Sequence, residues 1–233
     1  MTEPRYAIYW APPADGALWA FGTRWLGRDP ETGESLSPAP EVAAAADPAW
    51  LASVTADPRH YGLHATLKPP FRLATGQSRD GLVAALGRFA AATAPVAGPP
   101  LVLRRLGRFL ALVPDGPAPA VLALAARLVE AFDGFRTPAP PEELAKRRHH
   151  GLTASQEQNL LRWGYPYVMD DFRFHVTVSG ALDAATLDRL EALLAAPVAR
   201  FAMEALAIAE LALFEQPDTG APFRLTRRFA LAG

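Results

Sequence analysis

Two short segments of the chain alternate strictly between apolar and polar side chains. Residues 63–68 read LHATLK and residues 173–179 read RFHVTVS, so each segment has a histidine and a threonine among its polar positions. A period of two is typical of a β-strand with one face in the hydrophobic core. We therefore predict two half-buried strands, the first of which ends at Pro69-Pro70.

Each alternating segment is followed by the same series of patterns. A helical pattern comes next, capped by Asp80 in the first half and covering Ala184–Leu194 in the second. Two apolar runs around a turn complete each series, with the turn near Gly107 in the first half and at residues 218–220 in the second. The series strand, helix, hairpin therefore occurs twice in the same order.

This repetition predicts one α+β domain built from two related lobes. The domain spans residues 1–233, and the lobes are formed by about residues 60–113 and 172–231. About residues 117–167 form a helical insertion between them, with three helical patterns, of which the last begins at the capping box Thr153–Gln156.

The segment before the first alternating strand has its own pattern. Tyr6–Trp10 is a short run of apolar and aromatic residues that predicts a first strand, and Ala17–Leu26 predicts a helix. Residues 28–48 are rich in proline, glycine, glutamate and alanine, and we interpret them as a loop.

The histidine and threonine of each alternating strand can act together. His64 with Thr66, and His175 with Thr177, lie two positions apart and therefore share a face. Phosphodiester cleavage needs a base for the attacking water or hydroxyl and an acid for the leaving oxygen, and imidazole can serve as either near neutral pH. Threonine hydroxyls can donate hydrogen bonds to phosphate oxygens. If a two-fold axis relates the lobes, both histidines flank one phosphate.

A purely structural origin of the motif has to be weighed against this chemistry. One histidine and threonine on a strand is weak support, since threonine is a common strand residue. Two occurrences, each opening the same series of elements, are much harder to obtain by chance. The repetition therefore favours a functional site.

The two motifs resemble those of the two-histidine (2H) phosphoesterase superfamily, which is marked by paired His-φ-Thr/Ser-φ sequences. Here they are HATL at residues 64–67 and HVTV at residues 175–178. The surrounding strings HYGLHATLKPPF and LRWGYPYVMDDFRFHVTVSG are similar to one branch of it, labelled as a phosphonate metabolism protein and associated with carbon–phosphorus lyase genes. The resemblance covers essentially the whole chain.

This resemblance implies a bilobal fold with pseudo-two-fold symmetry, two antiparallel sheets with helices outside, and a central cleft that contains both histidines. It implies a metal-independent phosphoesterase with His64 and His175 as catalytic residues and no cofactor. The substrate would be a small phosphorylated molecule, either a cyclic phosphodiester or a sugar phosphate. The resemblance also implies that the protein acts in phosphonate metabolism. The superfamily also includes 2′-5′ RNA ligase-like proteins, so a short RNA or a nucleotide is the alternative partner.

Several further residues are candidates for substrate binding. Lys68 shares the predicted strand face of His64 and could add a positive charge at the phosphate, unless the following prolines turn it into solvent. Tyr61 and Arg173 flank the two motifs, although packing is the better explanation for Tyr61 and a surface position explains Arg173 equally well. The basic run 146–150, with Lys146 and Arg147 as the named candidates, ends a predicted helix, where cations are favourable in any case.

Composition narrows the class of protein. The formal net charge of the 233-residue chain is -1, which argues against a long nucleic acid as partner. There are no cysteines, so disulfides, thiolate metal sites and a cysteine nucleophile are excluded. We see no signal peptide and no apolar run long enough to span a membrane, and we expect a cytoplasmic protein.

Two other classes of function remain open. A metal-dependent hydrolase could use some of the five histidines, although the chain has no HExxH motif and no cluster of histidines and acidic residues at ligand spacing. A binding module for nucleotides or RNA ends could keep the cleft without turnover. The sequence does not distinguish hydrolysis from ligation, and it leaves the oligomeric state open.

Overall fold

The computed structural model describes residues 3–149, 151–201 and 204–233. Its strands are β1 (Arg5–Trp10), β2 (Ala65–Phe71), β3 (Val96–Gly98), β4 (Leu101–Leu106), β5 (Phe109–Pro114), β6 (Val176–Thr177), β7 (Leu206–Ile208), β8 (Glu210–Gln216) and β9 (Arg224–Ala230). Its helices are α1 (Ala17–Leu26), α2 (Pro40–Ala45), α3 (Pro48–Val54), α4 (Ala56–Tyr61), α5 (Arg79–Ala91), α6 (Pro119–Ala131), α7 (Pro141–Arg148), α8 (Ala154–Trp163) and α9 (Ala184–Ala199). The α+β class is confirmed.

Most strands join one antiparallel sheet. Within the described residues, the order of this seven-stranded sheet is β4-β5-β6-β2-β1-β8-β9, and β3 pairs with β7 in a separate two-stranded sheet. The two strands that carry the His-x-Thr motifs, β2 and β6, are therefore direct neighbours at the middle of the large sheet. Their register is fixed by the pairing of Ala65 with Val176.

Equivalent elements of the two halves pair with each other. The first series is β2, α5, β3, β4, β5 and the second is β6, α9, β7, β8, β9, so that β2 pairs with β6 and β3 with β7. Antiparallel pairing between equivalent strands of the two series is what an approximate two-fold axis requires. The predicted repetition of strand, helix and hairpin is thus present along the chain, while the boundaries of the two lobes stay a prediction.

Each half of the large sheet draws strands from both series. The hairpin β4–β5 of the first series lies against β6 of the second, and α9 packs on β4. The hairpin β8–β9 of the second series joins β2 through β1, and α5 packs on β9. Separating the two halves would consequently break both the central strand pair and these crossed contacts.

The apolar face of the motif strands lies in the core, which leaves the polar face for the site. Ala65, Leu67 and Val176 are almost completely buried and belong to one continuous hydrophobic cluster. Burial of the alternate side chains fixes which face of each strand is polar, because a shift of one residue would exchange the two faces.

Three boundaries differ from those predicted. Residues 28–48 are not loop throughout, since α2 begins with Pro40 in the first helical turn, where proline is favourable, and buries Val42. The cap of α5 is Ser78, whose side chain accepts a hydrogen bond from the Gly81 N–H, rather than Asp80. Strand β2 continues through Pro69-Pro70, at an irregularity in its pairing with β1 that accommodates residues without an N–H.

The second half also differs in extent from the predicted pattern. The second motif strand is only two residues long, because its pairings with β5 and β2 are confined to Val176–Thr177. Helix α9 continues beyond Leu194 to Ala199. The apolar run from residue 201 to 214 contains residues 202 and 203, which lie outside the described residues, and divides into β7 and β8.

The helical patterns predicted between the two series correspond to helices in the structure. Helix α6 buries Val121, Leu124 and Leu128, and the capping box of Thr153 and Gln156 is present at the start of α8. No helix in the described part of the chain is both long and apolar enough to cross a lipid bilayer.

The packing of α1 beside the first motif gives a test of the fold. A Cβ added at Gly22 would lie 2.4 Å from the Leu63 side chain, which is fully buried next to His64. We expect Gly22→Ala to lower the free energy of unfolding by about 1–3 kcal/mol, as overpacking does. Gly87→Ala in α5 is the control, since a Cβ there has no neighbour within 4 Å, and it should stabilise the protein by about 0.5–1 kcal/mol. Urea denaturation of both variants measures the difference, and equal effects would contradict the described packing.

Candidate active site

The register of β2 and β6 places the two motifs side by side in crossed orientation. Because Ala65 opposes Val176 in antiparallel register, His64 lies across from Thr177 and Thr66 lies across from His175. Each of these four residues is one position away from Ala65 or Val176, so its side chain leaves the sheet on the opposite face from theirs. The structure therefore brings the four motif residues together on one face of the central strands.

His64 is held in a defined orientation and tautomer. Its Nδ1 lies 2.9 Å from the carbonyl oxygen of Gly62, to which it donates its proton. The ring stacks on Tyr9, with ring centroids 3.9 Å apart. Gly62 has a φ of 83°, and a Cβ there would lie 2.6 Å from Pro30, so both the backbone conformation and the space require glycine.

With Nδ1 protonated, the Nε2 atom of His64 is the hydrogen-bond acceptor. The Thr66 hydroxyl lies 3.3 Å from this atom and can donate to it. Burial lowers the pKa of His64 from 6.5 to about 4, the hydrogen bond to Gly62 acts in the opposite direction, and the nearby His175 lowers it further. The ring is consequently neutral at pH 7, with a free base at Nε2.

His175 repeats the arrangement of His64. Its Nδ1 donates to the carbonyl oxygen two residues earlier, that of Arg173, at 2.7 Å. The ring is partly buried, and its centroid lies 6.0 Å from that of Phe109. In both histidines the backbone thus occupies Nδ1 and leaves Nε2 available, which is the orientation that paired proton transfer requires.

A cavity of about 280 Å³ lies over this face of the sheet. Its wall contains His64 and both motif threonines. The remaining lining residues are Arg5, Tyr9, Asp57, Pro58, Tyr61, Pro69, Pro70, Arg147 and Tyr165. The cavity therefore combines a neutral imidazole, two hydroxyls, two guanidinium groups and aromatic surface, which suits a small anion with a polar body.

Two of the secondary candidates line this cavity. Tyr61 stacks on Phe223, with centroids 5.2 Å apart, and its ring centroid lies 6.0 Å from that of His64. Arg147 reaches the cavity from α7, over the ring of Tyr165. The insertion predicted around residues 117–167 therefore contributes to the wall of the cavity.

Two others lie elsewhere. Lys146 is exposed and does not line the cavity. The Arg173 side chain is exposed too, and this residue contributes its carbonyl oxygen to His175 instead of its guanidinium group to a ligand. Of the basic run 146–150, residue 150 lies outside the described residues.

The expectation that Lys68 binds phosphate is wrong for this structure. Its side chain is 1% exposed, and its Nζ donates a hydrogen bond to the carbonyl oxygen of Val129, 3.0 Å away in the last turn of α6. The pairing of β1 with β2 shifts register between Thr66 and Lys68, which ends the strict alternation of the strand. The amine consequently caps a helix in the core, and burial lowers its pKa to about 8.

Sequence reasoning missed Arg5 and Tyr9. Both lie on β1, four positions apart and therefore on one face, and Tyr9 pairs with Thr66 across the strands. The sequence predicted β1 as a short apolar and aromatic run, but it did not indicate which strand would be the neighbour of β2. Among the described residues, no group of three or more histidine, aspartate or glutamate side chains converges as metal ligands would.

The pKa of His64 gives a prediction about stability. The unfolded chain takes up this proton near pH 6.5 and the folded chain near pH 4, so the free energy of unfolding falls as the pH is lowered through that window. His64→Gln removes this contribution, so the wild type should lose up to about 3 kcal/mol more than the variant between neutral pH and pH 4. Urea titrations of both proteins at several pH values measure the difference, and parallel curves would contradict the low pKa.

The position of Lys68 gives a second prediction. Lys68→Met should leave the affinity for inorganic phosphate unchanged, because the amine lies in the core. Thr66→Val, two residues away in the cavity wall, should weaken it by about ten-fold or more, since a hydrogen bond to a charged group contributes about 1.5–3 kcal/mol. Isothermal titration calorimetry with phosphate compares the variants, and weaker binding by Lys68→Met would restore the original expectation.

Comparison with known proteins gives relatives over nearly the whole chain. It is 39% identical over 234 residues to "Ribose 1,5-bisphosphate phosphokinase PhnN" of Janthinobacterium sp. (strain Marseille), covering 98% of this chain and 51% of that protein. It is 36% identical over 232 residues to the protein of the same name from Laribacter hongkongensis (strain HLHK9), covering 96% and 51%. The chain thus spans about half the length of the curated relatives it matches.

Solved structures give weaker likenesses. E. coli LigT complexed with 3′-AMP has a TM-score of 0.47 and 16% identity, with 99% of each chain covered. A structure described as a phosphoesterase has a TM-score of 0.47 and 17% identity, also with 99% of each chain covered. At these TM-scores the likenesses carry no argument about the present chain.

A family model provides the assignment. It matches residues 66–224, which is more than half of the chain and includes the whole second motif, while His64 lies two residues before its start. The chain belongs to the DUF1045 family, whose description is "Protein of unknown function".

Proposed function

We propose that this protein is a phosphoesterase that opens a small, cyclic phosphodiester by paired-histidine acid–base catalysis without a metal ion. The observation that carries the proposal is the crossed pairing of the two motifs through Ala65 and Val176. This pairing puts both imidazoles and both hydroxyls on one face of a rigid sheet, and a rigid support is what general acid–base catalysis needs.

His64 is the better candidate for the base. It is neutral at pH 7 with its Nε2 unprotonated, and it lines the cavity. In the proposed step this atom takes a proton from a water molecule, whose oxygen forms a new bond to phosphorus. Threonine hydroxyls at Thr66 and Thr177 donate hydrogen bonds to the non-bridging oxygens, where negative charge accumulates in the transition state.

His175 then serves as the acid. Its Nδ1 is committed to the Arg173 carbonyl oxygen, so the proton on Nε2 is the one it can transfer. As the bond between phosphorus and the ring oxygen breaks, this proton passes to the leaving oxygen and gives a hydroxyl and a phosphomonoester. Solvent restores the proton to His175 and removes the one on His64, which balances the cycle.

The substrate we favour is a phosphorylated sugar. The cavity of about 280 Å³ is small for a ligand site, which suits a sugar phosphate better than a polymer. The relatives are named for a kinase of ribose 1,5-bisphosphate, and hydrolysis of a five-membered cyclic phosphodiester on ribose yields a ribose phosphate. A role in phosphonate metabolism, as the resemblance implies, agrees with this chemistry.

Substitution of the histidines tests the mechanism. His64→Ala and His175→Ala should each lower kcat by about 10²–10⁴, the contribution of one proton transfer. His149→Ala, at the exposed end of α7, is the control and should retain wild-type kcat. Release of the monoester from ribose-based cyclic phosphates measures the rates. Wild-type turnover by either active-site variant would remove the mechanism.

The pH profile tests which histidine is the base. Because His64 must be unprotonated, kcat/KM should rise with pH through about 4, following its lowered pKa. An acidic limb centred near the ordinary pKa of histidine would contradict the assignment of His64.

Exhaustive treatment with EDTA tests the proposal that no metal ion takes part. The activity should survive this treatment, and loss of activity on chelation would favour a metal-dependent hydrolase.

A binding module without turnover is the alternative class. In that case wild type and the double variant His64→Ala/His175→Ala would bind the same ligand with equal affinity, and neither would release a product. Calorimetry with the substrate set used for kinetics distinguishes this outcome from catalysis.

A further inference from the structure

Two of the residues that line the cavity are arginines, Arg5 on β1 and Arg147 on α7. Arg5 is four residues from Tyr9 on β1, which corresponds to about 13 Å of strand, and it lies beside Phe71 because Tyr6 pairs with Phe71. Arg147 borders the same cavity, together with Pro70 near the far end of β2. The cavity thus has an imidazole end and a guanidinium end.

Arg5 is held in place by buried neighbours. Its Nε donates to the Gln216 side-chain oxygen at 2.6 Å, and its guanidinium group lies over the ring of Phe223 at 5.3 Å. Gln216 is 1% exposed, and its amide nitrogen is itself bonded to the Ala221 carbonyl oxygen at 2.7 Å. This support fixes the guanidinium group before any ligand arrives, which lowers the entropic cost of binding.

Arg147 is held from the other side and keeps unused donor capacity. Its guanidinium group lies 4.7 Å from the ring centroid of Tyr165, and one terminal nitrogen donates to Glu143 at 2.8 Å. Its Nε is buried and has no hydrogen-bond partner among the described residues. A buried donor without a partner is costly, and a ligand oxygen at this end of the cavity would satisfy it.

The charges around this end are positive in sum. Glu143 is shared between Arg147 and Arg72, the latter at 3.4 Å, so one carboxylate faces two guanidinium groups while Arg5 adds a third. Asp57 is the carboxylate on the cavity wall, and a Cβ at Gly180 would lie 3.1 Å from it, which places it beside the chain that follows β6. It suits sugar hydroxyls better than phosphate, because it would repel an anion.

We propose that Arg5 and Arg147 form a second phosphate subsite, so that the substrate is a sugar carrying another phosphate group besides the cyclic phosphodiester. This inference rests on the proposed function, since it names the substrate class of that same cavity. Guanidinium groups bind phosphate through paired hydrogen bonds. Because Arg5 and Arg147 line the same cavity of about 280 Å³ as His64, one small ligand can contact both of its ends.

Two matched probes test this subsite. They are methyl ribofuranoside 2,3-cyclic phosphate and the same compound with a phosphate on carbon 5. The kcat/KM of each is measured for wild type, Arg5→Met and Arg147→Met. Arg148→Met is the control, because this neighbouring arginine is exposed and paired with Glu157. Thermal unfolding of each variant verifies its fold.

The wild type should prefer the probe with the additional phosphate by about ten-fold or more, and each active-site variant should lose most of that preference through KM. Arg148→Met should retain it. Equal kcat/KM for both probes in the wild type, or a proportional loss on both probes in the arginine variants, would overturn the subsite while leaving the proposed function intact.

If neither probe is turned over, the proposed function fails and binding decides the subsite. Calorimetry with ribose 5-phosphate then compares wild type with Arg147→Met and Arg148→Met. Weaker binding by Arg147→Met alone supports a phosphate subsite that does not depend on turnover. Equal affinity of all three proteins overturns it.

Discussion

The pairing of β2 with β6 at Ala65 and Val176 is the contact on which the site depends. It joins the two halves of the large sheet and simultaneously sets the crossed register of the histidines and threonines. The two residues are fully buried, so the same contact that supports the core fixes the polar face above it. A slip of one position would turn the histidines into the core and the apolar residues toward the cavity. Fold and chemistry therefore share one constraint.

The histidines show how little additional structure is needed once the register is set. Each donates Nδ1–H to the carbonyl oxygen two residues before it, in a local arrangement that the strand entry provides. What differs is the surroundings, since the half-buried ring of His64 stacks on Tyr9, whereas the half-buried ring of His175 lies beside Phe109. Unequal environments for equivalent groups are a general means of separating base from acid on a symmetric scaffold. We propose that the departure from symmetry, more than the symmetry itself, assigns the roles here.

Much of this architecture could be predicted from the sequence, because alternation and helical periodicity report which faces are buried. The capping box at Thr153 and the hairpin around Gly107 are local features and were predicted at their positions. Lys68 was misplaced because a pairing irregularity, which depends on the neighbouring strand, ends the alternation of β2. Arg5 was missed since its place in the cavity depends on β1 lying next to β2, a contact between residues far apart in sequence. Local patterns thus predicted the elements and the motif pairs, whereas the rest of the wall required the topology.

The central claim is that both imidazoles meet one phosphate, and the most direct measurement is a phosphate titration followed by NMR of the histidine ring signals. With His64→Gln and His175→Gln used to assign the signals, the account predicts that both rings shift along a single binding curve with one dissociation constant. In each variant, the signal of the remaining histidine should report weaker phosphate binding than it does in the wild type. Signals that respond with different dissociation constants, or a response confined to one histidine, would contradict the account.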